Sequence, residues 1–268
     1  MNNITISRDA YLAALSSLPT FWRMKTAIRN AKTSKNLFDF YEFVIAEEGL
    51  SNAQLFQDLF VDFVFKRATG KTFLEFGACD GLELSNSLML EKERNWNGIL
   101  AEPDPKWHDK LSQSGRSARI ITDCIYSESG LELPFVSSNN SVLSGLKDFA
   151  AVDSDGPLKG NYNSRMLQHE EVMVRTISLN EVFETYFDAR DIEYMSIDTE
   201  GSEYQILSEF NFSRHRPLII TAEHNYSSNQ EKLDTLLSQN GYERVFRSLT
   251  DFDAWYVDRD LALERGFI

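Results

Sequence analysis

The sequence predicts an α/β fold built on an open, largely parallel sheet, and three observations carry that expectation. The stretch TFLEFGACDGLELSN, residues 72–86, runs from an apolar, β-branched and aromatic segment through a turn with Gly77 and Gly81 into a segment able to start a helix. Short apolar runs and helical segments then alternate as far as Asp123, which completes a β-α-β-α-β half. Later, the runs at 194–197 and 218–222 stop at acidic turns in the same way. In such a sheet the crevice beyond the carboxyl ends of the strands holds a nucleotide-like ligand, so the 77–86 loop is the expected site.

Bulk composition narrows the class. With 268 residues, 42% of them hydrophobic and 25% charged, the chain can bury the core of one large domain with an appendage. A net charge of −14 repels a nucleic-acid backbone, so nucleic acid is not the expected partner. Cys79 and Cys124 lack metal-type spacing, no secretory leader is evident, and no apolar run approaches the ~18 residues of a membrane span. A cytoplasmic protein without a transmembrane segment is expected, and self-association into a homo-oligomer is allowed.

Taken in order, residues 1–50 read as a helical extension and 51–268 as the main domain. Helical apolar spacing covers 10–18 and 37–45, and Arg23, Lys25, Arg29, Lys32 and Lys35, beside Trp22, form the clearest basic cluster. Such a cluster is either a solvated helix face or a peripheral contact with an anionic membrane surface. From Ser51 a helix with Leu55, Leu59, Val61, Phe63 and Val64 on its apolar face is expected to end near Gly70, with Gln57 and Asp58 able to face a ligand.

The 77–86 loop also speaks to the ligand's charge. Phosphate loops present bare backbone N–H groups, whereas this one carries Glu75 and Asp80 and lacks the third glycine of a dinucleotide loop. Two carboxylates disfavour a pyrophosphate, and hence an NAD-type oxidoreductase, and suit a cofactor with a cationic centre and an amino group. S-adenosylmethionine is the common one. After a helix over 84–94, the strand 98–101 stops at Glu102-Pro103, which places a carboxylate for the two ribose hydroxyls. The strand 118–122 ends at Asp123-Cys124, where a carboxylate can reach the adenine amino group.

Beyond Leu131 the organisation changes. A strand over 131–136 and another over 172–177 flank residues 137–163, a stretch rich in Ser, Asn, Asp and Gly and too long for an ordinary connection. The 137–175 region is expected to be a substrate-shaping insertion or lid. Three carboxylates, Asp198, Glu200 and Glu203, follow the fourth strand, and Glu223-His224-Asn225 follows the fifth. In neighbouring parallel strands these turns emerge side by side at the crevice. A helix over 230–239, two closing strands over 242–248 and 254–257, and an uninformative tail complete the chain.

These motifs together resemble the FkbM family of S-adenosylmethionine-dependent methyltransferases over residues 51–257. The most specific matches are Glu75-Phe76-Gly77-Ala78-x-Asp80-Gly81 with Ser85-Asn86, and Ile197-Asp198-Thr199-Glu200-Gly201-x-Glu203. The resemblance implies a Rossmann-like class I methyltransferase fold, a seven-stranded and mostly parallel sheet with the last strand antiparallel, preceded here by the helical extension. It further implies O-methylation of a sugar, glycan or secondary metabolite. The cofactor set expected is Glu75, Gly77, Ala78, Asp80, Gly81, Ser85, Asn86, Glu102, Pro103, Asp123, Cys124 and Asp198.

For chemistry, a hydroxyl nucleophile gains from a general base or a metal. His224 suits the base role by its near-neutral pKa, with Asp198, Glu200 and Glu223 beside it. The layout is also similar to that of magnesium-dependent O-methyltransferases, in which case Asp198, Glu223 and Asn225 would hold Mg²⁺ or another divalent cation. Asp198 and Glu200 can equally hold the acceptor through its hydroxyls. The alternative function is a non-catalytic module that binds S-adenosylmethionine or a nucleotide within an assembly.

Overall fold

The computed structural model describes residues 35–139, 143–151, 157, 159–188 and 191–268. Helix α1 (Lys35–Glu47) buries Leu37, Phe40 and Val44, one face at helical spacing. Phe40 stacks on Phe246 at 5.2 Å between centroids and meets Phe60 and Trp255 edge-on, so this part of the expected extension shares the main core. The helix expected over 10–18 and the basic cluster before Lys35 lie outside the described residues.

Helix α2 (Gln57–Val64) starts later and stops earlier than the sequence pattern suggests. The reason is local: the Asp58 carboxylate accepts from Ser51 Oγ and the N–H groups of Asn52 and Ala53, while Gln57 Oε1 accepts from Leu55 N. Side chains that could have continued the helix hold residues 51–55 in a loop instead.

The strands β1 (Thr72–Phe76), β2 (Asn97–Ala101), β3 (Arg119–Ile121), β8 (Tyr194–Ile197), β9 (Ile219–Glu223), β10 (Tyr242–Val245) and β11 (Asp253–Asp258) form one seven-stranded sheet in the order β10-β11-β9-β8-β1-β2-β3. Strands β3, β2, β1, β8 and β9 are parallel, and β11 runs antiparallel to both β9 and β10. This is the expected sheet with its last strand reversed. Both faces are covered, which explains why strands such as β8 are buried at every position. Alternation splits β1, sending Phe73 into the core shared with α1 and α2, and Leu74 and Phe76 into the core on the opposite face.

The connecting helices are α3 (Leu88–Arg94), α4 (Pro105–Ser112), α6 (Leu179–Tyr186), α7 (Glu203–Ser208) and α8 (Asn229–Gln239). Asp104 caps α4 through Lys106 N, with Pro105 at its first position. The C-terminal tail is not a bare end: α9 (Arg259–Glu264) is capped by Asp258 and buries Leu261 and Ala262.

The largest departure concerns the insertion. Strands β4 (Cys124–Tyr126), β5 (Glu132–Ser138), β6 (Gly145–Leu146) and β7 (His169–Ser178) make a second, four-stranded sheet, and α5 (Lys159–Leu167) precedes β7. The β5 and β7 strands pair antiparallel from Glu132–Arg175 to Ser138–His169. Much of the stretch that reads as loop is therefore built structure. The strands expected over 131–136 and 172–177 appear as β5 and β7, while the two-residue β6 and the start of the polar helix α5 fall in the stretch that reads as loop.

Candidate active site

The carboxyl ends of β1, β2, β8 and β9 and the second sheet enclose a cleft of about 370 Å³, within the range of small-molecule sites. Of the expected cofactor residues, Glu75, Gly77, Ala78, Ser85, Asn86, Glu102, Pro103, Cys124 and Asp198 line it. So do Glu200, Glu223 and Asn225. Asp80, Gly81, Asp123 and His224 do not, and each is engaged elsewhere.

Glu75 accepts from Ser85 Oγ at 2.9 Å, from Asn86 N at 2.8 Å and from Ser87 Oγ. Its buried carboxylate pulls residues 85–87 into a turn, which is why α3 begins at Leu88 and not at Leu84. Asp80 works similarly: Oδ1 accepts from the N–H groups of Leu82 and Glu83, both at 2.9 Å. The two acids expected to face a cationic ligand thus shape the loop around it. Gly77 is required by close approach, since at φ 85° a Cβ would lie 1.9 Å from the Asp198 carbonyl oxygen. Gly81 packs against Leu111 behind the loop.

Glu102, 3% exposed, accepts from Cys79 N at 2.7 Å and from Asp104 N at 2.8 Å, one bond on each oxygen. Burial pushes its carboxyl up to about 7 despite both bonds. A second lone pair on each oxygen is left for ligand hydroxyls. Asp123 faces the exposed Arg175 at 3.8 Å, while its neighbours Cys124 and Ile125 line the cleft at that point.

At the other end, Asp198 and Glu223 share a hydrogen bond, and burial drives both carboxyls up, Asp198 to about 7. Two carboxyls this close and this buried oppose each other's ionisation. Glu200 comes within reach of both, with ligand oxygens of Asp198, Glu200 and Glu223 all within 4.8 Å of one another. Glu203, which completes the acidic turn, accepts from Thr199 N, Thr199 Oγ1 and Gly201 N and so fixes its shape. Arg165 reaches in from α5: Nη2 donates to Glu200 Oε2 at 2.5 Å while Nε and Nη1 donate to the carbonyls of Leu143 and Ala150.

His224 lies beside the cleft and not in its lining. Its Nδ1 accepts from Tyr226 N at 3.1 Å, its Nε2 faces the Arg244 guanidinium at 3.4 Å, and the residue is 2% exposed. Burial, then Arg244, pushes its pKa down to about 4. Both ring nitrogens are engaged, and the carboxylates of the acidic turns are the groups that face the cleft.

Sequence reasoning missed Trp107 and Asp253, and it named the 137–175 insertion without singling out Leu143, Ser144 and Asn161; all five are in the cleft wall. Asp253 accepts from Gln57 Nε2 and Trp255 Nε1, and Gln57 lines the cleft as expected, whereas Asp58 is spent on the loop. Trp107 Nε1, Asn86 Oδ1 and Asn225 Oδ1 are buried without a hydrogen-bond partner. Polar atoms left over in a cleft wall are what a bound ligand would satisfy.

The Methyltransferase FkbM domain matches residues 75–244, more than half of the chain. The chain belongs to this family. As an FkbM methyltransferase it is S-adenosylmethionine-dependent, and the acceptors Glu102 and Asn86 Oδ1 with the Trp107 Nε1 donor suit the hydroxyl and amino groups of that cofactor. No curated protein matches the chain. Among solved structures it is similar to one described as a candidate caffeoyl-CoA O-methyltransferase from Staphylococcus aureus, at 13% identity and TM-score 0.45, covering 89% of this chain and 98% of that one. It is also similar to the S-adenosylhomocysteine-bound Podospora anserina methyltransferase PaMTH1, at 10% identity and TM-score 0.35, covering 96% and 99%. The family match and the strand order carry the assignment, not these distant likenesses. No helix among the described residues is long and apolar enough to cross a membrane.

Proposed function

We propose that this FkbM methyltransferase O-methylates a hydroxyl of a sugar, glycan or secondary-metabolite acceptor, with the Asp198–Glu223 pair as the proton acceptor. The observation that supports this most is the pair itself, two carboxyls sharing a hydrogen bond at the ends of adjacent strands in the wall of the cleft. Bound S-adenosylmethionine supplies an electrophilic methyl on a sulfonium. The acceptor oxygen forms the new C–O bond as the C–S bond breaks, the electron pair of that bond stays on sulfur, and the hydroxyl proton passes to the carboxylate pair. One shared proton leaves the pair one negative charge, so it can still take another. Glu102 and the Cys79 N–H that anchors it order the cofactor end, and the lid residues Leu143, Ser144 and Asn161 close the cleft against water.

A non-catalytic binder has no need of a proton-sharing acidic pair. Asp198→Asn and Glu223→Gln should each lower methyl transfer by about 10²-fold or more, the usual loss of a general base, while S-adenosylhomocysteine still binds Glu223→Gln. His224→Ala should keep most of its turnover if it folds. Normal transfer in both acidic variants would remove the base assignment.

A second reading rests on the same cluster. The oxygens of Asp198, Glu200 and Glu223 suit a hard divalent cation, with Asn225 tied to Glu223 through Nδ2 at 2.6 Å. Arg165 on Glu200 and the shared proton compete with such an ion. Turnover undiminished in EDTA would dismiss the metal.

A further inference from the structure

We infer that the acceptor carries an ammonium group beside its methylated position, as an amino sugar or an amino alcohol of similar size does. This rests on the methyltransferase reading and names the acceptor class for the same cleft. Three observations carry it.

First, the described lining of the cleft contains no lysine, arginine or histidine. Its acceptor end, over β8, β9 and β11, presents Asp198, Glu200, Glu223 and Asp253. A phosphate, sulfate or carboxylate on the acceptor would have no cationic partner there and several carboxylates to face.

Second, these acids stand close together. Arg165 meets Glu200, and Asp253 is held by the neutral donors of Gln57 and Trp255. Oxygens of Asp198, Glu200 and Glu223 lie within 4.8 Å of one another, close enough for one nitrogen to reach two of them. An ammonium placed there bonds to two carboxylates at once, which a hydroxyl cannot do as well because its hydrogen bonds lack the charge assistance.

Third, Asn225, 6% exposed and part of the cleft wall, has its Oδ1 without a donor. Its Nδ2 is committed to Glu223, so the open position is an acceptor and not a donor. The unfilled position in the wall here is a hydrogen-bond acceptor. A ligand with three N–H donors on one nitrogen satisfies it, and the donor-poor anionic ligands do not.

The test uses the full chain saturated with S-adenosylhomocysteine and measures binding of glucosamine, glucose and glucose 6-phosphate by calorimetry near neutral pH. Glucosamine and glucose differ at one position, ammonium for hydroxyl, so the comparison isolates the charge. Glucosamine should bind about tenfold more tightly than glucose, the factor one charge-assisted contact supplies, and glucose 6-phosphate more weakly than either. Glu223→Gln should reduce the preference for glucosamine to within about twofold while S-adenosylhomocysteine affinity stays. Equal affinities, a preference for glucose or its phosphate, or no glucosamine binding to the loaded protein would overturn the inference and leave the methyltransferase reading standing. Failure to bind S-adenosylhomocysteine at all would instead strike that reading.

Discussion

Replacing Arg165 with methionine probes how the lid is joined to the acidic turn. The guanidinium is fully buried and spans three elements, donating at 2.6 Å to Leu143 O, at 2.8 Å to Ala150 O and at 2.5 Å to Glu200 Oε2. Methionine fills much of the volume but removes the cation and all three donors. Breaking one partner out of a buried ion pair costs about 3–5 kcal/mol. The β5–β7 pairing stays intact, and water can enter the open side of the cleft, so a value near the lower limit, about 3 kcal/mol, is expected. This raises the opening equilibrium of the lid by roughly two orders of magnitude. Amide hydrogen exchange read over 143–151 and 159–167 should show that increase, with little change in β1, β8 and β9. Adding Glu200→Gln to Arg165→Met should recover part of the loss, because the glutamine does not need the cation. Exchange in the lid within twofold of wild type would refute the latch.

Three further outcomes follow from the same geometry. Because burial raises the Asp198 carboxyl to about 7 and the base must carry a charge, kcat/KM should climb with pH through about 7, and the activity that remains in Asp198→Asn should lose that climb. Glu102, raised to about 7 from an ordinary glutamate value near 4.5, contributes stability below the unfolded pKa that is lost as pH rises through the folded one; thermal melts of the cofactor-free protein should show Glu102→Gln gaining on wild type by up to about 3 kcal/mol between mildly acidic and mildly alkaline buffer. Gly77→Ala, forced to a positive φ with its Cβ 1.9 Å from the Asp198 carbonyl, should lose at least about 2 kcal/mol by chemical denaturation and weaken S-adenosylhomocysteine binding.

What could be read from the amino acids alone was whatever depends on local pattern. The strand at 72–76, Gly77 at its end, Glu102-Pro103 and the acidic turn at 198 all appear where periodicity and punctuation place them. The partners of buried acids could not be read. Glu75 and Asp80 look in sequence like ligands for a cation; that Glu75 and Asp80 Oδ1 also accept from residues 82–87 and shape the loop is a matter of side-chain direction. His224 sits two strands from Arg244 in the sheet order, and only the antiparallel insertion of β11 sets the neighbourhood that turns its ring out of the cleft. Trp107 and Arg165 carry no motif; the first lies in a helix after the second strand, and the second in a helix whose polar composition reads as loop. Asp253 was one residue outside the expected strand, and that residue lines the cleft.

The central claim is that the cleft at the strand ends holds a methyl donor beside the Asp198–Glu223 pair. Calorimetric titration of the full chain with S-adenosylhomocysteine, run beside NADH, tests it most directly. The account predicts one site per chain for S-adenosylhomocysteine, weakened by Glu102→Gln, and no binding of NADH. Binding of NADH in place of S-adenosylhomocysteine would contradict it.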